Sequence, residues 1–220
     1  MVNTTLPDGT LCEIWELDGF FQDQWFFMEH MDVVREAFWH QPTADQAAEN
    51  LKWLMYNERG PYVGIHIRLG DYKYTNRNMP ITYYKDALDA VKARNQNSSL
   101  TCLILSDDIP EAMEVTAALE QCGRRVPVPP DLGEANSFYM LGLMPNIIIA
   151  DSSFSFWAAR LAPHEPFVVA PGISKERSEA QSAYEYLLHT PGWHVVNTTT
   201  DMLDKYKTNA TVMLEMEQRA

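Results

Sequence analysis

Three largely apolar stretches, residues 62–67, 100–105 and 146–150, constrain this chain more than any other feature. Each has the length of a strand rather than a helix, and none alternates apolar with polar. Strands of that kind are buried on both faces. Helical patterns fall between and after them, at 83–94, 109–121, 134–144, 153–161 and 180–189. Shorter strands are expected at 125–128, 167–170 and 194–197. Tyr84, Leu88 and Val91 share one face of the helix at 83–94. Strands that alternate with helices predict an α/β fold, a Rossmann-like, mostly parallel sheet with helices on both faces.

The region ahead of the first apolar run reads differently. A short strand is expected at 11–17, an aromatic-rich helix at 20–39, and a helix at 43–58 opened by a capping box of Thr43 and Gln46. The aromatics Phe20, Phe21, Trp25, Phe26 and Phe27 suit the core-facing stripe of such a helix, with stacking on a sugar face as the alternative. The expected organisation is a helical segment over 1–60, the sheet domain over 61–200, and a helix or tail over 201–220.

Composition narrows the function classes. The net charge is −13, which argues against nucleic acid and against an anionic membrane surface. No apolar run approaches the ~20 residues that span a bilayer. The first residues do not read as a signal peptide, so a cytoplasmic setting is favoured. A secretory lumen is the alternative within a longer protein, where the sequons at Asn3, Asn97, Asn197 and Asn209 would matter. Cys12, Cys102 and Cys122 are too few and unevenly spaced for a disulfide framework or a zinc site, and Cys102 reads as a small core residue. GxGxxG, GxxxxGK[ST] and Gly-x-Ser-x-Gly patterns are all absent. So is an Asp-x-Asp pair for a divalent ion, and neither metal nor cofactor is expected.

In parallel sheets ligands sit beyond the carboxyl ends of the strands. Each apolar run here is followed by a polar cluster. After the first comes His66-Ile67-Arg68-Leu69-Gly70-Asp71, after the second Ser106-Asp107-Asp108, and after the third Asp151-Ser152-Ser153-Phe154-Ser155. Arg68 suits a bidentate grip on phosphate, and Gly70 a sharp turn. An Arg68–Asp71 ion pair and a satisfied core His66 are the plainer reading. Ser152, Ser153 and Ser155 sit where a helix begins, as phosphate ligands beside free backbone N–H groups or simply as helix caps. Asp108 suits a cap for the helix at Ile109, while Ser106 and Asp107 suit a ribose or a base.

These clusters resemble the α-1,2-fucosyltransferases and, more distantly, the α-1,6- and protein O-fucosyltransferases. That family carries His-x-Arg-Arg-x-Asp after a strand, then Ser-Asp-Asp, then Asn-Ser-Ser-Phe-Ser-Trp-Trp. Here they stand as His66–Asp71, Ser106–Asp108 and Asp151–Trp157, with Gly19-Phe20-Phe21-Gln22 upstream resembling Gly-Tyr-Phe-Gln. The order and approximate spacing agree across residues 17–170. The resemblance implies the donor-binding half of a GT-B-like, inverting, metal-independent glycosyltransferase. The donor would be a nucleotide sugar, by default GDP-fucose, and the acceptor a glycan. Arg68, Gly70, Ser106, Asp107, Asp151, Ser152, Ser153, Phe154 and Ser155 would bind the donor. Asp71, Arg68 and His66 would serve catalysis, with Asp71 as base and Asp23 or Glu16 behind it. Leu69 replaces the second Arg and Asp151 the Asn, which admits a UDP-linked L-rhamnose as donor. The family's Gly-rich N-terminal segment has no counterpart, which admits further domains of a longer polypeptide or a non-catalytic binding module.

Overall fold

The computed structural model describes residues 2–5, 11–14, 28–75, 78–96, 98–172, 190 and 192–197. The expected helix at 180–189, the tail at 201–220, the first residues of the helix at 20–39, and Glu16, Asp23 and Gly19–Gln22 lie outside them. So do the sequon residues Asn97 and Asn209.

Strands β1 (Val2–Thr5) and β2 (Leu11–Ile14) pair antiparallel as a two-stranded sheet. A 3₁₀ turn, Met28–His30, leads into α1 (Met31–Phe38), and α2 (Gln41–Leu54) follows. The central sheet takes β3 (Tyr62–Ile67), β4 (Leu100–Ser106), β5 (Cys122–Pro127), β6 (Asn146–Ile148), β7 (Phe167–Gly172) and β8 (His194–Asn197). Between them run α3 (Tyr72–Thr75), α4 (Ile81–Arg94), α5 (Ile109–Val115), α6 (Gly133–Gly142) and α7 (Ser153–Arg160). The strand order is β5-β4-β3-β6-β7-β8, with every neighbouring pair parallel. The expected α/β fold with a parallel sheet is the fold observed.

Side-chain alternation divides the core in two. Val63, Ile65, Ile67, Cys102, Ile104, Ile148 and Val169 pack with Tyr83, Tyr84, Leu88 and Val91 of α4. Leu103, Leu105, Ile147, Ile149 and Val168 face the other way, against α2, α6 and α7. Each large apolar side chain buried in this way contributes about 1.5–3 kcal/mol. Gly64 belongs to the second face, where Leu141 and Met144 fill the space that a side chain would need. The bend between α1 and α2 is tied down by Tyr139, whose hydroxyl accepts the His40 N–H at 2.9 Å and donates to the Phe38 carbonyl at 3.2 Å.

Several boundaries differ from expectation for local reasons. The helix expected at 43–58 begins at Gln41, with Pro42 in its first turn. Thr43 therefore lies inside the helix, and its hydroxyl meets His40 Nδ1 at 2.7 Å instead of capping. The helix expected at 109–121 stops at Val115 and tightens into a 3₁₀ turn at Thr116–Ala118. Thr116 there turns its hydroxyl back onto the Ala112 carbonyl at 2.8 Å. The strand expected at 125–128 starts earlier, at Cys122, which pairs with Leu100. That early start brings Cys122 beside Cys102, and the two form a disulfide with Cα atoms 5.7 Å apart. The reading of Cys102 as an unpaired core residue is corrected by it. Among the described residues, no helix is long and apolar enough to cross a membrane.

Candidate functional site

The chain moves outward from β3 in two directions. β4 and β5 are added on one side, and β6, β7 and β8 on the other. The crevice beyond the carboxyl ends of β3 and β6 is therefore the switch point of the sheet, where open α/β sheets bind ligands. The loop after β3 carries Arg68–Asp71, the loop after β6 carries Asp151–Ser153, and the loop after β4 flanks the first.

The loop after β3 is held by charge. Arg68 donates to Asp71 at 2.8 Å and forms an ion pair with Asp107 at 3.0 Å, and its guanidinium lies 5.4 Å from the centre of the Tyr72 ring. Asp107 also accepts the Leu69 N–H at 2.8 Å, while the Leu69 side chain is fully buried in the core. Lys73 reaches across to Asp108 at 2.8 Å and Glu111 at 2.5 Å. Burial pulls the Lys73 ammonium down, but the hydrogen bonds to Asp108 and Glu111 outweigh it and hold it above its ordinary value. The hydrogen bond from Lys73, and then the Glu111 N–H, lower Asp108. Asp108 caps α5 as expected, accepting the Glu111 N–H at 3.2 Å. The Arg68–Asp71 pair is likewise present, so the plainer reading of both residues is satisfied before any ligand enters.

The turn after β6 is shaped by a buried hydroxyl. Ser155 is fully buried, accepts the Ala150 N–H at 3.2 Å and donates to the Ser152 carbonyl at 3.3 Å. Its hydroxyl is committed to the backbone and shapes the turn. Ser152 stands at the N-cap of α7 without a capping hydrogen bond from its side chain, and Ser153 is exposed. Both hydroxyls are thus disposed for a ligand at the first turn of α7, whose free N–H groups favour an anion. Asp151 is buried beneath them.

His66 bridges the two sides. It lies at the end of β3, and its ring tilts against Phe154 of α7 at 5.1 Å. Its Nδ1 is buried without a hydrogen-bond partner. Burial, opposed by Asp107 and reinforced by Arg68, pushes its pKa down to about 4, so the ring is neutral near pH 7. The structure thus gathers His66, Arg68, Gly70, Asp71, Ser106, Asp107, Ser152, Ser153 and Phe154 at one end of the sheet. Tyr72 and Lys73 belong with them and were missed by motif reading. The acidic string Asp107-Asp108-x-x-Glu111 was the signal, because such a cluster calls for a counter-cation nearby. Asn78, just before α4, was also missed, and it is buried with both amide atoms unpartnered.

A family model, glycosyl transferase family 11, matches residues 13–197. The chain belongs to that family. Two curated relatives agree with the match. An alpha-1,2-colitosyltransferase of Escherichia coli is 28% identical over 80% of this chain and 61% of its own length. Galactoside alpha-(1,2)-fucosyltransferase 2 of Sus scrofa is 27% identical over 66% of this chain and 45% of its own. The family 11 chain therefore spans about half to three-fifths of the length of these relatives. Among solved structures, the E. coli ADP-heptose LPS heptosyltransferase II is similar with a TM-score of 0.44 at 14% identity, over 78% of this chain and 53% of that one. The C-terminal CMP-Kdo binding domain of WaaA from Acinetobacter baumannii is similar with a TM-score of 0.41 at 11% identity, over 81% of this chain and 94% of that one.

Proposed function

We propose that this family 11 chain binds a nucleotide sugar in the β3/β6 crevice and moves a 6-deoxy-L-sugar, by default L-fucose from GDP-fucose, onto a glycan hydroxyl. The observation that carries the reading is that one partly exposed arginine follows β3 and the first turn of α7 follows its parallel neighbour β6. An oxyanion there meets a guanidinium on one side, and helical N–H groups with two serine hydroxyls on the other. Both favour the charge that develops on a departing diphosphate.

The chemistry is an in-line displacement. The acceptor oxygen forms a bond to the anomeric carbon, and the bond from that carbon to the diphosphate oxygen breaks with inversion. The nucleoside diphosphate leaves with the electron pair, and the hydroxyl proton passes to a carboxylate. Asp71 is the first choice for that carboxylate because it is the more exposed of the two acids on Arg68. Arg68 and the α7 N-terminus neutralise the leaving group without a metal. His66, neutral and wedged against Phe154, shapes the crevice wall. The name of the E. coli relative supports a colitosyl donor as a second reading of the sugar.

Titration calorimetry of the full chain with GDP and UDP, with and without a chelator, tests the donor site. GDP is expected to bind with the chelator present, and Arg68→Ala to weaken it by about 10–100-fold, the worth of a charged hydrogen-bond pair. Binding that survives Arg68→Ala unchanged, or binding that requires a divalent ion, overturns the reading.

A further inference from the structure

Asp107 reads from sequence as a donor ligand, yet both of its carboxylate oxygens already serve the loop after β3. Oδ1 accepts the Leu69 N–H at 2.8 Å, and Oδ2 stands 3.0 Å from Arg68 Nη1 as an ion pair. These contacts join residues nearly forty positions apart, so they belong to the fold and not to a local turn. The second acid on Arg68 is placed differently. Asp71 holds Arg68 Nη2 at 2.8 Å with a side chain 64% exposed, against 24% for Asp107. Asp71 makes a water-facing ion pair of the kind that contributes little. Asp107 makes a less exposed ion pair with Arg68, and its other oxygen is anchored by a charge-assisted hydrogen bond from the Leu69 N–H.

Gly70 explains how Asp107 reaches in. A Cβ on Gly70 would overlap Asp107 Oδ2 and press on its carboxyl carbon at 3.2 Å. The backbone of Gly70 is not in the left-handed region, so glycine is required there for room rather than for conformation. Leu69, one residue earlier, is sunk in the core. The loop is therefore fixed from below by a side chain and from the side by Asp107, with Gly70 as the gap between them.

We propose that Asp107 is a positioning residue for the transfer: it keeps Arg68 aimed into the crevice while an incoming phosphate takes the place of Asp71 on the guanidinium. The exchange is non-covalent. A phosphate oxygen replaces the Asp71 carboxylate as acceptor at Nη2, and Asp71 is released as a free carboxylate beside the bound donor. Donor binding and the freeing of the base become one event, which places the donor ahead of the acceptor. The inference rests on the reading of Arg68 as a phosphate ligand.

The two carboxylates that hold Arg68 should then act on GDP binding with opposite signs. In calorimetry on the full chain, Asp107→Asn and Gly70→Ala are each expected to weaken GDP about tenfold. The double variant should bind no more weakly than the weaker single, because both remove the same contact. Asp71→Asn should tighten GDP a few-fold, since no carboxylate has to be displaced. In an Arg68→Ala background Asp107→Asn should have no further effect, whereas a general loss of structure would weaken any residual binding. Wild-type chain that binds neither GDP nor UDP overturns the donor reading and this inference together. Wild-type binding with Asp107→Asn unchanged, or tightened as Asp71→Asn is, overturns the inference alone. An additive double variant does the same.

Discussion

The loop after β3 and the loop after β6 face one crevice and are held by opposite means. The first is laced by Arg68, Lys73 and four carboxylates, and the second by one buried serine hydroxyl and the start of a helix. Ion pairs at a crevice mouth can exchange partners when an anion arrives. A buried hydroxyl bonded to its own turn cannot, because breaking it strands backbone groups away from water. The contacts of the loop after β3 can exchange partners, whereas the Ser155 bond fixes the turn after β6.

His66 tests the contact between the two sides, and its expected effect is the largest. Its pKa is near 4 in the folded chain against 6.5 for the free side chain. The unfolded chain therefore takes up the proton first as pH falls. The stability tied to neutral His66 is complete above about pH 6.5 and is lost as pH drops toward 4, by about 3 kcal/mol. His66→Phe keeps a ring against Phe154 and removes the titration. Denaturant unfolding between pH 7 and pH 4 should show a steep acid loss in the wild type that is shallower in the variant. Equal slopes would mean that the ring is not held neutral between the loops.

Ser155 comes next. Ser155→Ala leaves the Ala150 N–H without its partner inside the core, at a cost of about 2 kcal/mol. In a chain of this size that lowers Tm by roughly 4–8 °C. The loss should be the same in low and high salt, since no charge is involved. A salt-dependent loss would blur the contrast between the two loops.

The sheet was legible because its central strands are mostly apolar, and β3 and β8 fall where the pattern put them. The polar clusters after β3, β4 and β6 were legible too, since they stand out in an otherwise apolar frame. Pairings made by the fold were not. Cys102 and Cys122 meet because β5 starts three residues before the strand expected at 125–128, a matter of sheet register that Gly123 and two arginines conceal. Motif reading marks Asp107 as a ligand but does not show that its carboxylate holds the Leu69 N–H and pairs with Arg68. Ser155 looked like one of three equivalent serines, and only burial separates it from Ser152 and Ser153. Lys73 escaped because its partners lie on another strand's loop.

Lys73 carries the smallest effect and the sharpest test of the contrast. It ties the helical turn after Asp71 to the N-terminus of α5 through Asp108 and Glu111, and all three side chains keep some exposure. Lys73→Met preserves the aliphatic stem and removes the charge. The two acids it leaves behind still face the favourable end of the α5 dipole, so the cost is about 1 kcal/mol. Because the contact is electrostatic and partly open to water, that cost should shrink in 1 M salt, where screening reaches only about 3 Å. A loss as large as that of Ser155→Ala and indifferent to salt would mean that Lys73 acts through packing. The loop after β3 would then be as fixed as the loop after β6, and the exchange of Asp71 for phosphate on Arg68 would lose its physical basis.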